Sequence, residues 1–327
     1  MKYLSAVLIL GSCILVYAEA PLYGYFWLRY TYENPTQPED VETNKNYFSI
    51  DRGYICWETE SAAVSFKGTI DITNKKDATN ASDWNVRLKY AQADWTLTGI
   101  GQYIPDAKLI LGLQKVYFGT VDIWTYPLID KNLEQRENLM SSADLGVGFH
   151  GLLPRDYGEF SLQVFNGNFY THVTESNTNK ALCGNVAITP IPGIMLKGSF
   201  WIAQEPVGDT VIAQVDANRY VVVLRIQHGP VTAFGEYLTT KFDQIDGMGY
   251  SAFAEWAITN RLSFLGRYDY YDKDTAADDN AVNVAIGGLN YRITDTFMFQ
   301  TNYKRMMYED AIRDPSDAIL CQFKVSY

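Results

Sequence analysis

The segment Asp317-Ala318-Ile319-Leu320-Cys321-Gln322-Phe323-Lys324-Val325-Ser326-Tyr327 decides the reading of the fold. Successive side chains of a β-strand point to opposite faces. Ile319, Cys321, Phe323, Val325 and Tyr327 therefore share one face, and Leu320, Gln322, Lys324 and Ser326 share the other. One face is apolar and ends on an aromatic ring, while the other is mostly polar. The closing strand of a transmembrane barrel needs this pattern, with outward aromatics at the lipid edge and inward polar groups in water. A soluble sandwich strand can alternate in the same way, so the remainder of the chain has to choose.

Working outward, period-2 runs cover the whole sequence. They fall at 22–31, 48–57, 61–72, 84–96, 107–118, 142–152, 157–168, 182–189, 193–203, 219–227, 231–240, 248–258, 261–270, 282–291, 295–306 and 317–327, which makes sixteen. The gaps alternate in length. Long ones include Tyr32 to Tyr47, Thr73 to Asp83, Gly119 to Ser141, Ala203 to Asn218 and Tyr271 to Ala281. Short ones include Gln227-His228-Gly229-Pro230 and Arg292-Ile293-Thr294-Asp295; Leu97 to Asp106 is longer than the pattern asks. This order predicts an all-β, antiparallel up-and-down transmembrane barrel of about sixteen strands, with long external loops and short periplasmic turns. Closure is obligatory, because no water in the bilayer can satisfy an open edge. A barrel this wide encloses more space than side chains fill, so an aqueous lumen is expected.

The start of the chain points the same way. Met1-Lys2, the apolar run Leu4 to Val16 and Ala18-Glu19-Ala20 predict a signal peptide over 1–20, leaving 21–327 as one barrel domain. The run is short for a membrane helix, and no other apolar stretch reaches that length. The competing reading of Leu10-Gly11-Ser12-Cys13 as a lipidation box would leave a hydrophobic stub. Tyr (24), Phe (16) and Trp (7) are plentiful enough for aromatic girdles, and a mean hydropathy of −0.16 suits strands that show lipid only every second residue. Beyond the signal segment Cys56, Cys183 and Cys321 remain, an odd set that reads as small apolar fillers rather than a disulfide framework. A net charge of −11 excludes nucleic acid as a partner.

Strand parity predicts the inner wall. Val64, Phe66, Leu88, Tyr90, Tyr220, Val222, Phe264 and Tyr268 are assigned to lipid. The inward basic residues are Lys67, Arg87, Lys89, Lys197, Arg219, Arg225, Arg261, Arg267, Lys304 and Lys324, against Asp71, Glu159, Glu236, Glu255 and Asp269. The wall therefore leans positive in an acidic chain. The excess acid falls in loops, at Glu33, Glu39, Asp40, Glu42, Asp272, Asp274, Asp278, Asp279, Glu309, Asp310, Asp314 and Asp317. The third long loop, 119–141, carries Val121, Ile123, Trp124, Leu128, Ile129 and Leu133, which a solvated loop does not need. It is expected to fold into the barrel as a constriction. Asp122, Asp130, Glu134 and Glu137, with Lys131 and Arg136, would then face wall residues such as Arg87 and Lys89 and set a transverse field.

Several segments together resemble a known family. They are Phe48-Ser49-Ile50-Asp51-Arg52-Gly53-Tyr54, Arg87-Leu88-Lys89-Tyr90-Ala91, Leu111 to Gly119, Ala143 to Gly151 and Phe165 to Tyr170. In order and spacing they resemble the outer-membrane porins, most specifically the phosphate-selective porin O and P family. The resemblance implies passive uptake of small hydrophilic solutes across the outer membrane of a Gram-negative bacterium, by a homotrimer set among lipid and lipopolysaccharide. It does not carry phosphate specificity, because only Lys131 and Arg136 stand among four carboxylates in the loop. The facing of Arg52 and Lys115 is open from parity alone, and Arg52 needs a bulge or a flip.

An enzyme is not expected. His150, His172 and His228 are the histidines available, and no G-x-S-x-G elbow or metal-spaced cluster accompanies them, so no cofactor and no metal are predicted. Two other readings are a non-conducting structural or adhesion barrel, and a secreted soluble β-protein that binds glycans.

Overall fold

The computed structural model describes residues 21–34, 45–74, 84–171, 179–206 and 214–327. The expected signal segment, Glu39, Asp40, Glu42 and His172 lie outside those residues. One antiparallel sheet is built from β1 (Tyr23–Asn34), β2 (Lys45–Ser61), β3 (Val64–Thr73), β4 (Asn85–Thr96), β5 (Lys108–Lys115), β6 (Ala143–Leu153), β7 (Gly158–Phe165) and β8 (Ala181–Ile191). It continues through β9 (Ile194–Ile202, resumed as Gln204–Pro206), β10 (Gln214–His228), β11 (Val231–Phe242), β12 (Ile245–Ala257), β13 (Leu262–Asp272), β14 (Val282–Arg292), β15 (Phe297–Tyr308) and β16 (Ser316–Ser326). Both parts of β9 pair with β10, so they count as one strand and the barrel has sixteen. Each strand pairs with the next, and β16 returns to β1, with Phe26 opposite Val325 and Leu28 opposite Phe323. The sheet therefore has no free edge to satisfy.

The strand reading and the observed strands agree closely, and the departures have local causes. β10 starts at Gln214 rather than 219 because Asp216, Ala217 and Asn218 extend the strand without an apolar face, so no period marks them. β5 ends at Lys115 because the next residues leave the sheet and enter the barrel, with Val116 N donating to Ser142 O at 3.2 Å. The connection from β11 to β12, at the long-loop end, is only Asp243-Gln244. At the other end the long gap after β4 holds a one-turn 3-10 helix, Thr98–Ile100.

Facing follows the pleat. Phe66, Leu88, Tyr220, Val222, Leu224 and Phe264 are exposed on the outer surface, while Lys197, Arg219, Arg267 and Asp269 are buried inside. Two bulges break the parity. Between β1 and β2, Trp27 pairs with Arg52 and Leu28 with Ile50, so Asp51 is extra and Arg52 turns inward. Between β3 and β4, Thr69 pairs with Tyr90 and Ile70 with Leu88, so Lys89 is extra. Tyr90, assigned to lipid by strict alternation, instead lines the lumen, because the bulge shifts the pleat by one residue.

Candidate functional site

The lumen is shaped by the segment between β5 and β6. It enters the barrel at Gly119, whose φ of +50° is a left-handed conformation that favours glycine. A Cβ there would also lie 1.9 Å from the Glu134 carboxylate. Glu134 holds the entry closed by accepting from Thr120 N at 2.8 Å and Thr120 Oγ1 at 2.9 Å. Asn132 caps a one-turn helix, Leu133–Arg136, by accepting from Gln135 N at 3.2 Å, and donates to Thr120 Oγ1 at 3.0 Å.

The apolar residues of this loop cover one side of the wall. Val121, Leu133, Leu139 and Met140 form a core with Trp201, Val221, Val223 and Leu238 of β9, β10 and β11. Trp124 and Leu128 form a second core with Phe253, Leu265, Val284 and Ile286 of β12, β13 and β14. A fully buried side chain of this size contributes about 1.5–3 kcal/mol, so the two cores oppose release of the loop into water. Polar anchors add direction. Asp130 pairs with Lys304 at 2.8 Å, Asp122 with Lys197, and Arg136 with Asp269, which also takes Arg267 at 2.7 Å. Asn290 Nδ2 donates to Pro127 O at 2.8 Å, and Arg267 donates to Lys131 O. Burial favours the neutral form of Asp130, but Lys304, Arg267 and Arg136 outweigh it and hold the carboxyl below its ordinary range. Burial pushes the Glu134 carboxyl above that range, against the bonds from Thr120 and the charge of Arg267.

This placement differs from the expected transverse field. Asp130 pairs with the wall the loop packs on and Glu134 bonds within the loop, while Asp122, which borders the turn-end chamber with Lys89, pairs instead with Lys197. Glu137 pairs with Arg136 of its own helix at 2.8 Å. Asp122 and Asp130 pair in this way because the covered wall already carries the cations Lys197, Arg267 and Lys304. Of the wall candidates, Arg267 and Lys304 thus anchor the loop. Arg219 pairs with Glu205 at 2.6 Å, and Lys67 with Glu58 at 3.1 Å. Arg225 is half-buried on β10. Arg87 and Lys89 border open space, and so does Lys131 of the loop.

Open space remains between the loop and strands β16 and β1 to β5. At the loop end, a chamber of about 230 Å³ is lined by Arg52, Asp71, Arg87, Tyr126, Gln135 and Tyr170. Beside it, a pocket of about 150 Å³ is lined by Trp27, Arg29, Arg52, Tyr126 and Lys131. At the turn end, a chamber of about 860 Å³ includes Tyr25, Lys67, Lys89, Tyr90, Lys115, Asp122 and Lys324 in its lining. Tyr126 borders all three spaces, and its hydroxyl donates to Gln135 Oε1 at 3.3 Å. Across from it, Tyr54 OH accepts from Arg52 and from Lys89, each at 2.9 Å. Asp71 sits 3.4 Å from Arg52 and accepts from Tyr170 OH at 2.9 Å. Arg29, Trp27, Tyr54 and Tyr126 were not singled out from sequence. Inward parity on β1 could have found Trp27 and Arg29, whereas Tyr54 needed the bulge at Asp51.

No family model matches the chain, and no curated protein does. Solved structures do. The outer membrane channel DcaP of Acinetobacter baumannii superposes with a TM-score of 0.71 at 12% identity, over 94% of this chain and 97% of that one. An anion-selective porin from Comamonas acidovorans gives 0.68 at 12% identity, over 94% and 99%. The trimer form of in-vitro folded OmpT, an outer membrane protein of Vibrio cholerae, gives 0.65 at 11%, over 94% and 99%. At such identities the likeness shows the fold: a barrel of outer-membrane type.

Proposed function

We propose that this chain is a pore in the outer membrane of a Gram-negative bacterium, through which small hydrophilic solutes or ions diffuse passively. The observation that carries the reading is the arrangement of the lumen. A closed, lipid-facing cylinder holds a loop that covers one inner side and leaves polar, charged chambers along the other. Loop 119–141 is the constriction of this pore, with Tyr126 and Gln135 at the junction of the chambers. The resemblance to phosphate-selective porins adds support for a pore and is not used for its solute. Similarity to a protein described as an outer membrane channel and to one solved in a trimer form supports conduction and a homotrimer. Lipid and lipopolysaccharide surround it, and acidic loop residues such as Asp274 and Asp310 stand at that surface. No catalytic step is assigned: His150 stacks on Tyr117 at 5.3 Å and lies 4.0 Å from Glu159, and His228 ends β10 beside an exposed turn.

The test is single-channel recording with purified protein in planar bilayers. Discrete current steps are expected. Absence of steps at every voltage, with the barrel inserted, would remove the pore reading in favour of a structural barrel.

A further inference from the structure

Cations on the open side of the lumen sit on aromatic rings. Lys324 Nζ lies 4.5 Å from the Tyr25 ring centre, and Lys89 Nζ lies 4.5 Å from that of Tyr54 and 5.4 Å from that of Tyr90. Lys115 Nζ lies 5.3 Å from the Tyr117 ring. The rings also run into one another. Tyr25 is 5.1 Å from Tyr54 and 5.2 Å from Trp27, and Trp27 is 5.4 Å from Tyr126 of the loop. This series leads from the turn-end chamber, past the junction, to the pocket at the loop end. There Trp27 is 3% exposed, and its indole N–H has no hydrogen-bond partner.

Glu60 and Asp94 also line the turn-end chamber, Asp94 accepting from Gln92 Nε2 at 2.8 Å, while the other carboxylates along the path are engaged by cations. Asp71 is held by Arg52 and Tyr170, Glu58 by Lys67 and Tyr23, and Asp122 by Lys197. Among the described residues Lys89 bonds only the neutral hydroxyl of Tyr54. The open wall thus offers the half-buried rings of Tyr25 and Tyr90 beside the ammonium group of Lys89, which borders the chamber and, among the described residues, forms no salt bridge. A halide ion can use only the charge. A solute with a flat apolar body and a negative head uses both, stacking its body on a ring and pairing its head with the ammonium.

Building on the pore reading above, we propose that the lumen selects small organic carboxylates with a planar apolar body, over compact carboxylates and over uncharged planar analogues. Tyr25, Trp27 and Tyr126 provide the track, and Lys89 is its principal cation.

The experiment titrates the potassium chloride current of the full protein in planar bilayers with benzoate, acetate and benzamide. Benzoate is expected to interrupt the current at a concentration about fivefold lower than acetate, and benzamide is expected to do nothing at that concentration. The deciding quantity is the ratio of benzoate to acetate effect within each variant. Lys89→Gln is expected to lower it toward one, Tyr126→Ala to do the same, and Tyr126→Phe to keep it. Benzoate and acetate acting alike on the parent overturns the proposal, as does benzamide acting as well as benzoate, or an unchanged ratio in Lys89→Gln. A protein that never opens a step fails at the earlier reading and takes this one with it.

Discussion

Glu134 shows how one side chain ties the loop to the pH of its surroundings. Its carboxyl is fully buried, bonded to Thr120, and shares its site with Glu236 of β11. Burial raises its pKa, so the packed loop keeps this proton to a higher pH than an unpacked loop does. For an acid shifted upward, the packed form is most favoured below the ordinary carboxylate pKa. It loses ground as pH rises through the raised value, where a charge must sit in the core. Open-channel noise from loop motion is therefore expected to grow as the solution is made less acidic. Glu134→Gln keeps an acceptor for Thr120 N and carries no charge, so its noise should be flat over the same range. If noise in the variant still follows pH as in the parent, another group is responsible. Parity could not place this residue, because a loop has no fixed alternation to read.

At the scale of the element, loop 119–141 depends on Trp124. Its ring packs edge-on against Phe234 at 5.6 Å and Phe253 at 5.5 Å, with Arg267 5.0 Å from its centre, and its indole donates to Asp130 O at 3.0 Å. Trp124→Ala removes about 3–5 kcal/mol of docking free energy. Unitary conductance in bilayers should rise, with broader current levels. An unchanged conductance would mean that the loop does not narrow the path. The inward course of this loop was legible from its apolar residues, since a solvated loop gains nothing from Trp124, Leu128 and Leu133. The direction of its carboxylates was not. That depends on where Lys197, Lys304 and the Arg267–Asp269 pair stand on strands distant in sequence, and so on register around the whole barrel.

For the whole molecule, closure is the dominant constraint. The β1 to β16 pairing leaves no strand edge for water or detergent to attack first, so unfolding has to break a continuous ring of backbone bonds. The purified protein is expected to migrate in detergent gels as a compact, fast band when unheated and as a slower band after boiling. One band in both conditions would count against a closed barrel. The same closure separates two surfaces of opposite character, greasy outside and charged within.

Alternation alone determined the strands, their number and most of their facing, because a wall between lipid and water imposes a two-residue period wherever it stands. Runs such as Tyr220 to Ile226 carry that period without help from any neighbour. Alternation could not determine where the period slips. The bulges at Asp51 and Lys89 turn Arg52, Tyr54 and Tyr90 toward the lumen, and each exists only through pairing with an adjacent strand. Tertiary structure alone decided which charges neutralise one another and which remain open to solutes. That outcome is set by distances across the barrel, which no local pattern records.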